Sequence, residues 1–370
     1  MIGLAFTGDI AFSKYFQDAW RDSELVAPEL IDFLRSAAYV VPNVEGPLTN
    51  NRMVRGDSAT PAHASDPRAA DWLCRLNGTV WNLSNNHVLD CGETGLRDTV
   101  ELAESRGCRV FGAGKSITEA ATPVMLEEGG GIGLLAVCYK KQFEAGKDRA
   151  GVIHWQDDKR IKQTIRQIKK SNRWCILVVH GGEEFSHLPM PYVRRQYLRY
   201  LRYGADFVVG HHPHVPQNYE CVGRKMVFYS LGNFIFDTDY QRLQQHTDQG
   251  VLLKLNLSAD TYNWEYMPYQ IDREKACVKV GACPVVFRNL SAKEYRRISP
   301  LAVKSFLVNN RRAKSSLSPK ISSYSSIQWA KWYVKKKGCL ASLSLWNGCI
   351  RYRLGGWKKG EKSLIEYICQ

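Results

Sequence analysis

The chain has 370 residues, of which 44% are hydrophobic and 24% charged, and a formal net charge of +15. These proportions are ordinary for a globular protein that buries an extensive core. No apolar window reaches the roughly eighteen residues of a membrane span, and the opening MIGLAFTGDI lacks the regions of a secretory signal. Eleven scattered cysteines without a Cys-x-x-Cys pair argue against a zinc ribbon or a disulfide framework and predict reduced thiols in a cytoplasmic protein.

The excess positive charge is concentrated at the C-terminal end. Residues 281–370 contain 18 Lys and Arg against 3 Asp and Glu, which leaves 33 of each sign in residues 1–280. Because a change in composition of this size is typical of a domain boundary, we expect one domain over 1–280 and a basic, aromatic-rich extension over 281–370.

Short apolar runs alternate with amphipathic segments along the first domain. The runs are too short for buried helices and predict strands at 2–7, 37–42, 79–84, 108–113, 131–137, 175–180, 206–210, 226–232 and 250–257. The amphipathic segments predict helices at 16–36, 66–77, 94–106, 157–172 and 190–203. The alternation predicts an α/β fold with crossover helices.

Polar side chains follow six of the predicted strands. They are Asp9, Glu45, Asn86 with His87 and Asp90, His180, His211 with His212 and His214, and Asn233. Single strand-end acids are often helix caps, but six strand ends of this composition are hard to explain as caps. Nitrogen and oxygen donors of these types suit Mn, Fe or Zn and argue against calcium or thiolate sites. We therefore predict one or two divalent transition metal ions.

Three histidines cluster in the stretch VVGHHPHVPQ, residues 208–217. Pro213 is expected to bias His212 toward extended backbone, so that His212 and His214 splay toward two neighbouring ions. A bridging acid between ions ~3.5–4 Å apart would then support polarisation of a phosphoryl oxygen. Four other histidines stand alone in the sequence, and we expect them to be ordinary core or surface residues: His63, His154, His187 and His246.

Seven phrases of the sequence occur in the order of a known family. They are FTGDI, NVEGPLT, NLSNNHVLDCGETGL, FGAG, HGGEEF, GADFVVGHHPHVPQ and VFYSLGNFIFD, within residues 3–258. Together they resemble the CapA (poly-γ-glutamate capsule synthesis) branch of the calcineurin-like metallophosphoesterases. The resemblance implies an αββα sandwich of two sheets flanked by helices, with a two-metal site on one edge.

The resemblance also implies a role for each polar residue. Asp9 and His214 would hold the first metal, Glu45 would bridge, and Asn86, His180 and His212 would hold the second. His87 would be the general acid, oriented by Asp90.

The first motif departs from the wider superfamily pattern Asp-x-His, because Ala11 stands where that pattern has histidine. The first metal therefore loses a ligand. Either this ion binds weakly, or a neighbour such as Glu184, His211 or Asn233 supports it.

Three functions fit these observations. The resemblance implies a metal-dependent hydrolase of a phosphoester or related bond in an anionic polymer or its precursor. A non-catalytic, polymer-handling subunit of a capsule synthesis complex and a nuclease-like phosphodiesterase are the alternatives. The bases and tryptophans of residues 281–370 are suited to binding an anionic polymer, nucleic acid, or an anionic membrane surface that would hold the protein peripherally. The same composition fits an accessory module whose charged face is simply solvated.

Overall fold

The computed structural model of the protein describes residues 1–51 and 63–317. Its strands are β1 (Ile2–Ile10), β2 (Tyr39–Val44), β3 (Val80–Asn82), β4 (Arg109–Phe111), β5 (Ala113–Gly114), β6 (Val124–Leu126), β7 (Ile132–Cys138), β8 (Gly151–Val152), β9 (Trp174–His180), β10 (Phe207–His211), β11 (Tyr219–Val222), β12 (Lys225–Phe228), β13 (Asn233–Ile235), β14 (Gln249–Leu257), β15 (Tyr262–Asp272) and β16 (Cys277–Val280). Its helices are α1 (Pro28–Arg35), α2 (Ala69–Arg75), α3 (Gly92–Glu104), α4 (Ile117–Ala120), α5 (Asp158–Ser171), α6 (Pro191–Tyr203), α7 (Asp239–Arg242) and α8 (Ala292–Leu317).

Two sheets contain most of the strands. The larger has the order β16-β15-β14-β1-β2-β3-β4, with β13 also paired to β1. The second has the order β11-β12-β10-β9-β7-β6. Strands β1 to β4 run parallel to one another, as do β7, β9, β10 and β12. The carboxyl ends of parallel strands meet at one edge of each sheet, where loops can assemble a site.

The inner faces of the two sheets share one hydrophobic core. Leu4 and Phe6 of β1 and Leu253 of β14 cluster with Ile176 of β9 and Val209 of β10, and all are buried. Alternate residues of these strands face helices on the other side of each sheet, so both faces of a strand are apolar. This double burial is why the strands are visible in the sequence as continuous apolar runs.

Helices cover the outer face of each sheet. Helices α1, α2 and α3 pack on the larger sheet, and α5, α6 and α8 pack on the second. Helix α5 shows how the sequence achieves this, because Ile161, Ile165 and Ile168 recur at helical spacing and are all buried. The side chain of Asp157 caps its first turn by accepting the N–H of Arg160. The predicted mixed α/β class is confirmed.

The helix predicted over 16–36 is wrong in its first half. The chain there forms two short 3₁₀ turns, Lys14–Phe16 and Ala19–Arg21, and the α-helix covers only Pro28–Arg35. Proline disfavours helical backbone in the residue before it and is well suited to the first helical position, so the helix begins at Pro28.

Packing continues beyond residue 280. Phe287 joins the core between the sheets, and Val303 and Phe306 of α8 join the core under α5 and α6. The expected extension therefore packs against the domain at least as far as Phe306. Residues 318–370, which hold most of its bases and aromatic residues, lie outside the described residues. Within the described ranges, no helix combines the length and the apolar composition that crossing a membrane requires.

Candidate metal centre

The predicted site residues lie where the carboxyl edges of the two sheets meet. Asp9 is the penultimate residue of β1 and lies beside Asn233 of β13, and Glu45 directly follows β2. In the second sheet, His180 ends β9 and pairs in register with His211 of β10. One edge therefore receives acids from the larger sheet and histidines from the second.

Two groups of side chains have the spacing of a metal site. The donor atoms of Asp9, Glu45 and His180 all lie within 4.8 Å of one another, and all three residues are buried. The donor atoms of Glu184, His212 and His214 form a second such group.

Asn86 joins the first group, since its Oδ1 lies 2.7 Å from Nε2 of His180. The structure thus brings together the predicted ligands Asp9, Glu45, Asn86, His180, His212 and His214. Glu184 lies with them, although the sequence indicated it only as a substitute ligand. The assignment of each residue to a first or second ion stays a prediction.

The carboxylate of Asp9 is surrounded by polar side chains of the site. Its carboxylate lies 3.2 Å from Nδ1 of His211 and 3.3 Å from Nδ1 of His214, and it accepts a hydrogen bond of 2.7 Å from Asn43. Burial alone would raise the pKa of Asp9, but the interactions of its carboxylate with the rings of His211 and His214 outweigh burial and hold that pKa well below its ordinary value. Asp9 therefore remains a carboxylate inside the protein.

His214 responds to the same charges. Burial lowers its pKa, but the carboxylates of Asp9 and Glu45 act more strongly and raise the pKa of His214 to about 9. Its Nδ1 also lies 2.9 Å from Oδ1 of Asn233. The site therefore attracts positive charge, which a proton on His214 or a bound cation can supply.

Glu45 provides the observation that tests whether a metal fits. Both of its carboxylate oxygens are buried and lack a hydrogen-bond donor. Burial, and then the charge of Asp9, raises the pKa of Glu45 well above its ordinary value. A buried carboxylate without donors is costly unless it is neutralised or binds a cation. Because His180 and Asp9 offer nitrogen and oxygen donors beside it, these residues fit a divalent transition metal.

The histidine loop has an unusual backbone. His212 has φ 96° and His214 has φ 59°, in the left-handed region that residues other than glycine rarely adopt. The expectation that Pro213 holds His212 extended is wrong. The ring of His212 packs between those of Tyr139 and His180, with ring centroids 4.4 and 5.0 Å away, so tertiary packing determines its backbone. Strain of this kind concentrates at functional sites.

His87 and Asp90 form a pair at the rim of the first group. Nδ1 of His87 lies 2.7 Å from Oδ2 of Asp90, and its Nε2 lies 3.9 Å from Oε1 of Glu45. One nitrogen of the ring is therefore held by a carboxylate, while the other faces the metal-ligand cluster.

Sequence reasoning missed His63 and Asn43. The ring of His63 lies 4.3 Å from that of His87, and its backbone N–H donates to Asp90. His63 follows no predicted strand, so no sequence signal marked it. Asn43 precedes Glu45 by two residues and donates to Asp9, and its place at a strand end was a usable signal.

Comparison with known proteins agrees with the motifs. The family model for the bacterial capsule synthesis protein PGA_cap matches residues 3–238, a range that contains every predicted site residue. The PGA biosynthesis protein CapA of Bacillus subtilis (strain 168) is 27% identical over 278 residues, covering 73% of this chain and 72% of that protein. The capsule biosynthesis protein CapA of Bacillus anthracis is 28% identical over 250 residues, covering 65% of this chain and 61% of that protein, less than two thirds of its length.

Among solved structures, a hypothetical protein from Thermus thermophilus superposes with a TM-score of 0.46 and 13% identity, covering 73% of this chain and 99% of that one. The sequence matches confirm the resemblance to CapA proteins. The chain belongs to the PGA_cap family of bacterial capsule synthesis proteins.

Proposed function

We propose that this protein is a metal-dependent hydrolase that cleaves a phosphoester or a related bond in an anionic polymer or its precursor. The observation that carries the proposal is the buried carboxylate of Glu45. It accepts no hydrogen bond, and it lies beside the potential metal-ligand atoms of Asp9 and His180. Relatives named for capsule and PGA biosynthesis support an anionic polymer as the substrate class. We also infer that the two packed sheets and their outer helices correspond to the αββα sandwich of the calcineurin-like metallophosphoesterases.

One or two Mn, Fe or Zn ions would be held by Asp9, Glu45, Asn86 and His180, and by Glu184, His212 and His214. When bound, such ions polarise the oxygen of the scissile group and lower the pKa of water. The protein itself excludes bulk water, since most of these side chains are buried, and its acids and histidines orient the reacting group.

His87 is suited to act on the leaving group. Asp90 accepts the hydrogen bond from Nδ1–H and so fixes the ring, which leaves Nε2 free to donate a proton toward the cluster.

The proposal is tested by metal content and turnover together. We expect the purified protein to retain a transition metal and to hydrolyse 4-nitrophenyl phosphate or bis(4-nitrophenyl) phosphate when Mn²⁺ is added. Glu45→Gln should lose metal and lower turnover by more than ~10²-fold, because it removes the buried charge between the donor groups. The matched control is Glu101→Gln, on an exposed side chain of α3, which should change neither.

The alternatives give different results. A protein that binds metal but cleaves neither ester is the outcome that contradicts the hydrolase and favours a polymer-handling subunit. Faster cleavage of a single-stranded oligonucleotide than of the small esters supports the nuclease-like alternative. Capture of the polymer, of an anionic membrane surface or of nucleic acid by the basic extension stays a proposal, since residues 318–370 lie outside the described residues.

A further inference from the structure

Two cysteines outside the metal centre lie against each other. Cys74 is near the end of α2, Cys108 directly precedes β4, and their Sγ atoms are 3.4 Å apart. Cys74 is partly exposed, whereas Cys108 is buried. Thiols at this separation are within reach of a disulfide after a small side-chain rotation.

The two thiols have different surroundings, and these shift their pKa values in opposite directions. A hydrogen bond with Cys108 and the charge of Arg106 outweigh burial and lower the pKa of Cys74 to about 7. The hydrogen bond to Cys74, together with burial, raises the pKa of Cys108. The exposed sulfur is therefore the better nucleophile, and the buried sulfur is placed to react with it in a second step.

The segment between the two cysteines carries part of the candidate metal centre. It contains β3, the loop with Asn86, His87 and Asp90, and α3. A bond between Cys74 and Cys108 would close this segment into a loop and restrict the unfolded chain.

We propose that Cys74 and Cys108 form a disulfide when the protein meets a peroxide, and that this bond clamps the segment that carries Asn86 and His87. The Cys74 thiolate attacks one oxygen of hydrogen peroxide, the O–O bond breaks, and hydroxide leaves to give a sulfenic acid. The Cys108 sulfur then attacks the Cys74 sulfur, the S–S bond forms, the S–O bond breaks, and the thiol proton leaves with the oxygen as water. The two thiols lose two electrons, and the peroxide is reduced to water.

The test uses the full chain treated with about one equivalent of hydrogen peroxide, alkylated, and digested with trypsin without reductant. We expect a peptide in which residues 69–75 are joined to residues 107–109, two hydrogens lighter than the separate peptides. The oxidised protein should unfold at a temperature about 5 °C or more higher than the reduced protein, and reductant should reverse the shift.

Three variants decide the result. Cys74→Ser and Cys108→Ser should each abolish both the joined peptide and the thermal shift. The matched control, Cys221→Ser, removes an exposed thiol on β11 and should keep both. Oxidation of other thiols without the joined peptide overturns the proposal, and a joined peptide without a thermal shift overturns the clamp. Neither readout depends on the hydrolase activity.

Discussion

Among single residues, His87 is placed to transfer a proton and not to ligate a metal. Its Nδ1 is held at 2.7 Å by Asp90, and its Nε2 lies 3.9 Å from Glu45, beyond the donor atoms that group around Asp9 and His180. It can therefore be removed without removing a donor atom from either group.

His87→Ala should leave metal content unchanged and lower turnover by about 10²–10⁴-fold, the usual worth of a general acid. Turnover of a substrate with a poor leaving group should fall more than turnover of a nitrophenyl ester, because the nitrophenolate leaving group needs little protonation. Elemental analysis and kcat on both esters check this. Equal losses on the two substrates, or loss of the metal, would remove His87 from the role.

The residues that the sequence predicted and those that it missed differ in a physical way. Asp9, Glu45 and His180 were predictable because each stands at the carboxyl end of a buried apolar run, and such a run can be read directly from the sequence. His63 contacts His87 but follows no apolar run, so no periodic pattern in the sequence marks it. The backbone of His212 was predicted wrongly because the local preference imposed by Pro213 is weaker than packing against Tyr139 and His180.

At the scale of elements, the position of β10 controls the histidine loop. A Cβ atom added at Gly210 would lie 2.1 Å from the carbonyl oxygen of Tyr229 and 3.0 Å from the ring of Tyr197. Glycine here lets β10 approach the chain that follows β12, and so places His211, His212 and His214 at the site.

Gly210→Ala should therefore lower the free energy of unfolding by ~1–3 kcal/mol and weaken metal binding. Urea unfolding and metal titration measure the two effects. Gly223→Ala serves as the control, since nothing lies within 4 Å of its added Cβ and only its φ of 63° adds strain. We expect that control to cost about 1 kcal/mol and to leave metal binding unchanged. Unaltered metal binding in Gly210→Ala would show that the loop does not depend on β10.

Two of the elements that the sequence missed have different causes. The predicted strands are apolar on both faces, whereas β15 is partly exposed along most of its length and so lacks a continuous apolar run. Helix α8 was missed because its segment falls in the basic region that composition separated from the domain. A basic composition indicates that one face of a helix is exposed to solvent, but it gives no information on whether the opposite face packs against the domain.

At the scale of the whole molecule, residues 281–306 join parts of the domain that are distant in sequence. The backbone N–H of Tyr219 donates to Arg288, and that of Leu290 donates to Tyr219, so this segment lies along β11 at the edge of the second sheet. The hydroxyl of Tyr295 in α8 donates to the carbonyl of Pro189, just before α6. An open sheet edge and an uncovered helix face are both liabilities for a folded chain.

A chain that ends at residue 280 should consequently be insoluble or far less stable than the full protein, although it keeps every candidate metal ligand. It lacks the buried side chains of Phe287, Val303 and Phe306, and each side chain of this kind contributes ~1.5–3 kcal/mol when buried. Since a domain is stable by only about 5–15 kcal/mol, losing several of them removes much of the margin. A chain that ends at residue 317 keeps these contacts and is the control, and we expect it to fold and bind metal like the full chain. Solubility, urea unfolding and metal content distinguish the two truncations. Equal stability of the 1–280 chain and the full protein would place the domain boundary at residue 280 and reduce residues 281–317 to a dispensable cover.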